Sequence, residues 1–156
     1  MKVKLRDIVD GLEMQADEMS AYLNKRTGEL VPTSTEDLSA AEEEEDLDDY
    51  SDWQRESILK AKEILGSEDW IELPGKFEIN DYAIMEEFCR SIANPHISDR
   101  LLSTTRGSGA FGRFRGAVDA LDLRQEWFDF RATELERIAV DWLEVNEIEF
   151  TREGKP

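Results

Sequence analysis

Residues 19–33 read MSAYLNKRTGELVPT, and this stretch decides the fold class. Two short apolar runs flank Asn24-Lys25-Arg26-Thr27-Gly28. Asparagine opens such a turn because its side-chain oxygen can accept from backbone N–H groups just ahead of it, and glycine closes it by adopting a left-handed conformation. The spacing predicts a β-hairpin with strands at about residues 20–23 and 29–32. Pro32 has no N–H to give to a ladder, so the second strand belongs at a sheet edge.

Upstream, Leu5, Ile8, Val9 and Leu12 fall at helical spacing. Downstream, residues 36–52 contain ten acidic residues and no basic one. Self-repulsion opposes compaction there, so residues 36–49 read as an acidic linker or loop outside the core. A helix follows from Ser51 to Gly66, with Ile58, Ala61, Lys62 and Leu65 on one face. Residues 70–73 (WIEL) read as a strand stopped by Pro74-Gly75, and residues 148–150 (IEF) as a last strand able to join the same sheet.

The region between is helical. Asn80 caps a helix carrying Ile84, Met85, Phe88, Cys89 and Ile92, with Ile79 and Ile84 spaced for a hydrophobic staple. Asn94-Pro95 ends it and starts another that stops at Gly107. Ser108 is placed to cap a third, with Ala110, Phe111, Phe114, Val118 and Leu121 on its apolar side. Asp122 and Gln125 form a capping-box pattern for the longest helix, whose stripe reads Phe128, Leu135, Ile138, Ala139 and Trp142 before a left-handed stop at Asn146. The expected fold is α+β: one domain, 1–156, with a short antiparallel sheet that includes the N-terminal hairpin, covered by about five helices.

Charge bounds the partners. The chain has 37 acidic and 19 basic side chains in 156 residues, for a net charge of −18. Phosphate neutralisation supplies most non-specific nucleic-acid affinity, so this balance excludes a DNA-coating protein, and it equally disfavours anionic membrane surfaces. Its one cysteine, Cys89, forms no internal disulfide, and the opening residues MKVKLRDIVDGLEM lack the apolar core of a signal peptide. The expected location is the cytoplasm.

One segment runs against the overall charge. Residues 106–116, RGSGAFGRFRG, gather three arginines, two phenylalanines and four glycines. Glycines allow a ligand close to the backbone, helix-initial N–H groups bind phosphate, and arginine forks suit it. Arg106, Ser108, Phe111, Arg113, Phe114 and Arg115 are therefore a candidate anion or ligand site, with the two phenylalanines as stacking surfaces. The competing reading puts both phenylalanines in the core and pairs the arginines with surplus carboxylates. Gly112 and Gly116 then admit a neighbouring helix at close range. The segment lacks the Gly-Lys-Ser/Thr ending of a phosphate loop and the preceding strand of a dinucleotide fingerprint. Cys89 lies on an apolar face away from His96, as an inert buried thiol does. No nucleophile and base, metal-ligand set or cofactor loop is assembled by the pattern, so no catalytic residue, metal or cofactor is assigned.

Four pieces in order carry a family likeness. They are Asp7-Ile8-Val9 to Tyr22-Leu23 with the Thr27-Gly28-Glu29 turn, and Trp70-Ile71-Glu72-Leu73-Pro74. The other two are Arg106-Gly107-Ser108-Gly109-Ala110-Phe111 with Phe114, and Trp127-Phe128 through Phe130-Arg131 to Asp141-Trp142-Leu143-Glu144. The chain resembles the bacterial uncharacterised protein family 0158 over most of its length, the acidic run excepted. That resemblance implies a cytoplasmic bacterial protein folded as a single unit and assigns no activity. The function expected is a non-catalytic interaction or regulatory protein. Its partner classes are a protein or a further copy of the chain; the alternative reading is a binder of nucleotide or RNA phosphate through residues 106–116, extending to a phosphate-handling enzyme that uses Arg106, Arg113 and Arg115.

Overall fold

A computed structural model of the chain describes residues 2–16, 18–43 and 46–152. The architecture is α+β, and the chain divides into two compact units. The first comprises residues up to Ile79 together with those from Ile138 onward, and the second is Asn80–Arg137.

The first unit is built on the hairpin. Strands β2 (Met19–Asn24) and β3 (Leu30–Ser34) pair antiparallel, with Tyr22 opposite Val31 and Ala21 opposite Pro32. The Asn24 side chain accepts from the N–H groups of Arg26 (2.8 Å) and Thr27 (3.1 Å), and Gly28 takes φ 81°. β4 (Trp70–Glu72) pairs antiparallel on the other side of β2, giving the order β3-β2-β4 and placing Pro32 on an edge strand. The last strand departs from expectation. β5 (Phe150–Thr151) does not join this sheet but runs parallel to β1 (Val3–Lys4), a two-residue strand too short to show a pattern.

Helix α1 (Leu5–Met14) buries Leu5, Ile8, Gly11 and Leu12. Gln15, just beyond it, donates from Nε2 to the carbonyls of Leu73 (2.8 Å) and Pro74 (3.1 Å), while its Oε1 accepts from the Ala21 N–H (2.8 Å). One side chain thus ties the end of α1 to the centre and one margin of the sheet.

The acidic run is not the loop its charge suggested. Residues 35–43 form helix α2 (Thr35–Glu43), and Leu47–Asp49 add a single 3-10 turn capped by Asp46. The deciding residues are small: Ala40 and Ala41 of α2 pack against Ile58 and Ala61 of α3 (Asp52–Leu65), with Leu38, Leu47 and Tyr50 alongside. Burial of this cluster offsets repulsion among acids of which Glu36, Glu42, Glu43, Asp46, Asp48 and Asp49 are exposed; residues 44 and 45 of the run lie outside the described residues. On α3 the buried face is Ile58, Ala61 and Ile64, so Leu65, expected inside, is exposed.

The second unit is helical. After the single turn α4 (Lys76–Ile79) of the first unit come α5 (Asp81–Ser91), α6 (Pro95–Thr104), α7 (Ala110–Ala120) and the first part of α8 (Arg124–Val145). Asn80 caps α5 by accepting from the Ala83 N–H, and Asn94 caps α6 by accepting from His96 and Ile97, as their positions predict. The core of this unit is aromatic: Phe88 meets Phe114, Trp127 and Phe130 edge-on at ring separations of 6.2, 5.4 and 5.5 Å.

The longest helix starts and ends later than expected. Asp122 is left-handed (φ 57°) and stands outside α8, and Gln125 binds Asp129 rather than closing a capping box. The left-handed stop falls on Glu147 (φ 58°), while the Asn146 side chain donates to the carbonyl of Trp142. Leu135 and Ala139 are buried as expected, but Trp127 and Leu143 take the places of Phe128 and Trp142, which leaves Phe128 exposed and Ile138 and Trp142 half-buried.

Candidate functional site

The candidate residues lie where α6 turns into α7. Two left-handed glycines make this turn, Gly107 (φ 79°) and Gly109 (φ 78°), a conformation that L side chains rarely adopt. Gly109, not Ser108, is the N-cap of α7, and no side chain caps it. Instead the Arg113 guanidinium folds back over the turn. It donates to the carbonyls of Ser108 (2.6 Å) and Arg106. A Cβ at Gly109 would sit 3.2 Å from Arg113 Nη1, so the turn is wrapped closely around that side chain. Arg113 is therefore a positioning residue that holds the backbone of residues 106–109.

The structure divides the six candidates. Phe114 is 1% exposed and packs edge-on against Trp127 at 4.9 Å, so it belongs to the core and offers no stacking surface. Phe111 is 43% exposed and meets only an edge contact from Tyr82, at 5.9 Å and 83°. Arg106, Ser108 and Arg115 are exposed. Tyr82, absent from the sequence reading, is the element missed: it lies in the first turn of α5, where no periodicity marks it out.

The arginines do not neutralise local carboxylates. Four of the eight arginines of this unit have carboxylate partners, Arg90 with Glu86, Arg124 with Asp119, Arg131 with Asp81 and Arg137 with Glu134, and Arg100, exposed on α6, has none among the described residues. The Arg124 fork, at 2.9 and 3.0 Å, holds the Asp119 carboxyl below its ordinary range. Among the described residues, none of Arg106, Arg113 and Arg115 pairs with an acid, in a chain holding 37 of them. Nor do the glycines of α7 serve close helix packing. A Cβ at Gly112 or Gly116 would meet nothing within 4 Å. The outer face of α7 thus presents a Phe111–Arg115 row beside a Gly112–Gly116 row, each pair one turn apart.

Cys89 is fully buried, burial pushes its thiol up to about 11, and His96 is exposed on α6. Among the described residues no three His, Cys, Asp or Glu side chains are gathered to hold a metal ion, and no helix is long and apolar enough to cross a membrane.

A family model for Uncharacterised protein family (UPF0158) matches residues 1–155. The chain belongs to that family. The match spans the acidic run as well as the four quoted pieces, so α2 and its cluster with α3 lie inside the family's extent, and both units belong to a UPF0158 protein. No curated protein and no solved structure is significantly similar to it.

Proposed function

We propose that this UPF0158 protein is a non-catalytic interaction protein that docks an acidic partner on the outer face of α7 and the turn before it. The observation that carries the reading is the unpaired state of Arg106 and Arg115, on either side of a half-exposed Phe111, in a molecule rich in acids. Half of the arginines of this unit hold a carboxylate, whereas Arg106 and Arg115 lie one on the turn and one on the helix of a single surface with no such partner among the described residues. Keeping two cations bare beside an aromatic suits a ligand that brings both negative charge and apolar contact. The open glycine row lets that ligand come close to the helix backbone.

A nucleotide or RNA phosphate is the second reading, favoured by the α7 N-terminus, whose first N–H groups have no side-chain cap. It is weakened by the placement of Phe114 in the core, which leaves one aromatic for stacking. Titration of a polyglutamate peptide, a nucleotide panel and a short RNA at low and moderate salt separates the two. Saturable peptide binding that Arg106→Gln with Arg115→Gln removes supports the acidic-partner reading. Binding of RNA or nucleotide alone transfers the surface to phosphate, and no arginine-dependent binding in any arm overturns both.

A further inference from the structure

Resting on the surface reading above, we infer that a second copy of this chain is its occupant, with Glu36, Glu42, Asp48 and Asp49 of one copy lying against Arg106 and Arg115 of the other. Two stretches of this sequence are single-signed. Residues 36–52 carry ten acids and no base, and residues 100–118 carry Arg100, Arg106, Arg113 and Arg115 and no acid. Helix α2 turns Ala40 and Ala41 inward, leaving Glu36, Ser39 and Glu42 on its exposed side, and the 3-10 turn that follows exposes Asp48 and Asp49. Helix α7 exposes Phe111, Gly112, Arg115 and Gly116.

The two faces suit each other in size as well as sign. The exposed row of α2 sets a serine between glutamates, and that of α7 sets glycines beside arginine, so the small residues of both allow close approach while the charges meet. Among the described residues no carboxylate pairs with Arg106 or Arg115. Two molecules of charge −18 repel at a distance, but that repulsion is screened beyond about 8 Å at physiological salt, whereas charges in direct contact are screened much less. A polyanion such as RNA would satisfy the arginines too, yet it would leave the acidic segment of every copy unmatched.

The test is the mass of the full chain by light scattering and sedimentation, over rising protein concentration, in about 0.1 M and about 0.5 M salt. The expected result is a reversible assembly larger than a monomer at the lower salt that dissociates at the higher. Arg106→Glu with Arg115→Glu abolishes it, and so does Glu36→Gln with Glu42→Gln and Asp48→Asn. Mixing the two variants restores a heterologous assembly, since each retains the face the other has lost. Both sets change exposed side chains, and circular dichroism with thermal melting confirms that each variant is folded. A monomer throughout, or an assembly that survives in either variant, overturns the inference. If the monomer still binds polyglutamate through Arg106 and Arg115, only the identity of the partner is wrong. If it binds RNA instead, the occupant is a nucleic acid, and if it binds neither, the surface reading falls as well.

Discussion

Phe111 and Phe114 stand three residues apart on one helix and do opposite things, and exposure alone separates them. Phe114 is enclosed by Phe88 and Trp127, so truncating it leaves a cavity among rings that cannot close up. Phe114→Ala should lower the unfolding free energy by about 3–5 kcal/mol. Phe111→Ala loses an edge contact with Tyr82 and should cost only about 1 kcal/mol. Urea denaturation of both variants checks this, and equal midpoints would show that the two rings share one environment. Cys89 makes a second residue-scale case. In the unfolded chain a thiol ionises near about 8.5, whereas burial holds it protonated in the fold to about 11. The contribution is therefore fully present below the unfolded value and is lost as pH rises through the folded one. Wild type should lose stability relative to Cys89→Ala between these limits, and Tyr22, raised in the same direction by its own burial, is common to both proteins and cancels. A constant difference across that range would place the thiol in contact with water.

At the scale of the element, glycine separates faces that are packed from faces that are not. On α1 a Cβ at Gly11 would fall 2.6 Å from Leu73 Cδ2 and 3.3 Å from Leu30 Cδ2, so this helix rests on the sheet through the position that has no side chain. Gly11→Ala gains about 1 kcal/mol of helix propensity but overpacks a tight contact, and the net effect should be a loss of about 1–3 kcal/mol. Gly112→Ala and Gly116→Ala meet open space and should each stabilise α7 by up to about 1 kcal/mol. Thermal melts of the three variants decide it; destabilisation by both α7 substitutions would mean that some part of the chain covers that face. The sequence made the hairpin legible because its signal is local: Asn24 and Gly28 build the turn from their own side chain and backbone. It misplaced α2 because what holds that helix is an Ala40–Ala41 patch fitting Ile58 and Ala61, a tertiary match invisible beside ten like charges. It placed Leu135 and Ala139 of the α8 stripe but chose Phe128 over Trp127, because Trp127, Phe128 and Phe130 offer apolar residues on more than one side, and only the aromatic core of the second unit selects Trp127. Of the candidate site, the cluster of residue types was legible. The division of labour was not, since nothing in the spacing tells that Arg113 turns back on its own loop while Arg115, two residues on, faces outward.

For the whole molecule the uneven distribution of charge matters more than its total. The second unit holds ten acidic and eight basic side chains, a balance of −2, which leaves −16 of the −18 on the first. Most of that excess is concentrated in residues 36–52, where a small apolar cluster packs α2 and Leu47 against α3. Glu42 and Glu43 also close α2 at its C-terminal end, where the helix dipole disfavours negative charge. The fold is thus strained electrostatically at one place, and salt should relieve it. The ion pairs described are largely exposed and worth little each, so their screening costs less than the repulsion removed. In dilute solution, raising sodium chloride from about 0.02 M to about 0.5 M shortens the screening length several-fold and should raise Tm by about 2–4 °C, the shift expected of about 1 kcal/mol at this chain length. The triple substitution Glu42→Gln, Asp48→Asn and Asp49→Asn should raise Tm at low salt and flatten the response, because it removes the charges that salt would otherwise screen. A wild-type Tm that falls with salt would mean that attraction between opposite charges outweighs repulsion in this fold. A triple variant that melts lower than wild type at low salt would show those carboxylates holding the segment in place through their hydrogen bonds.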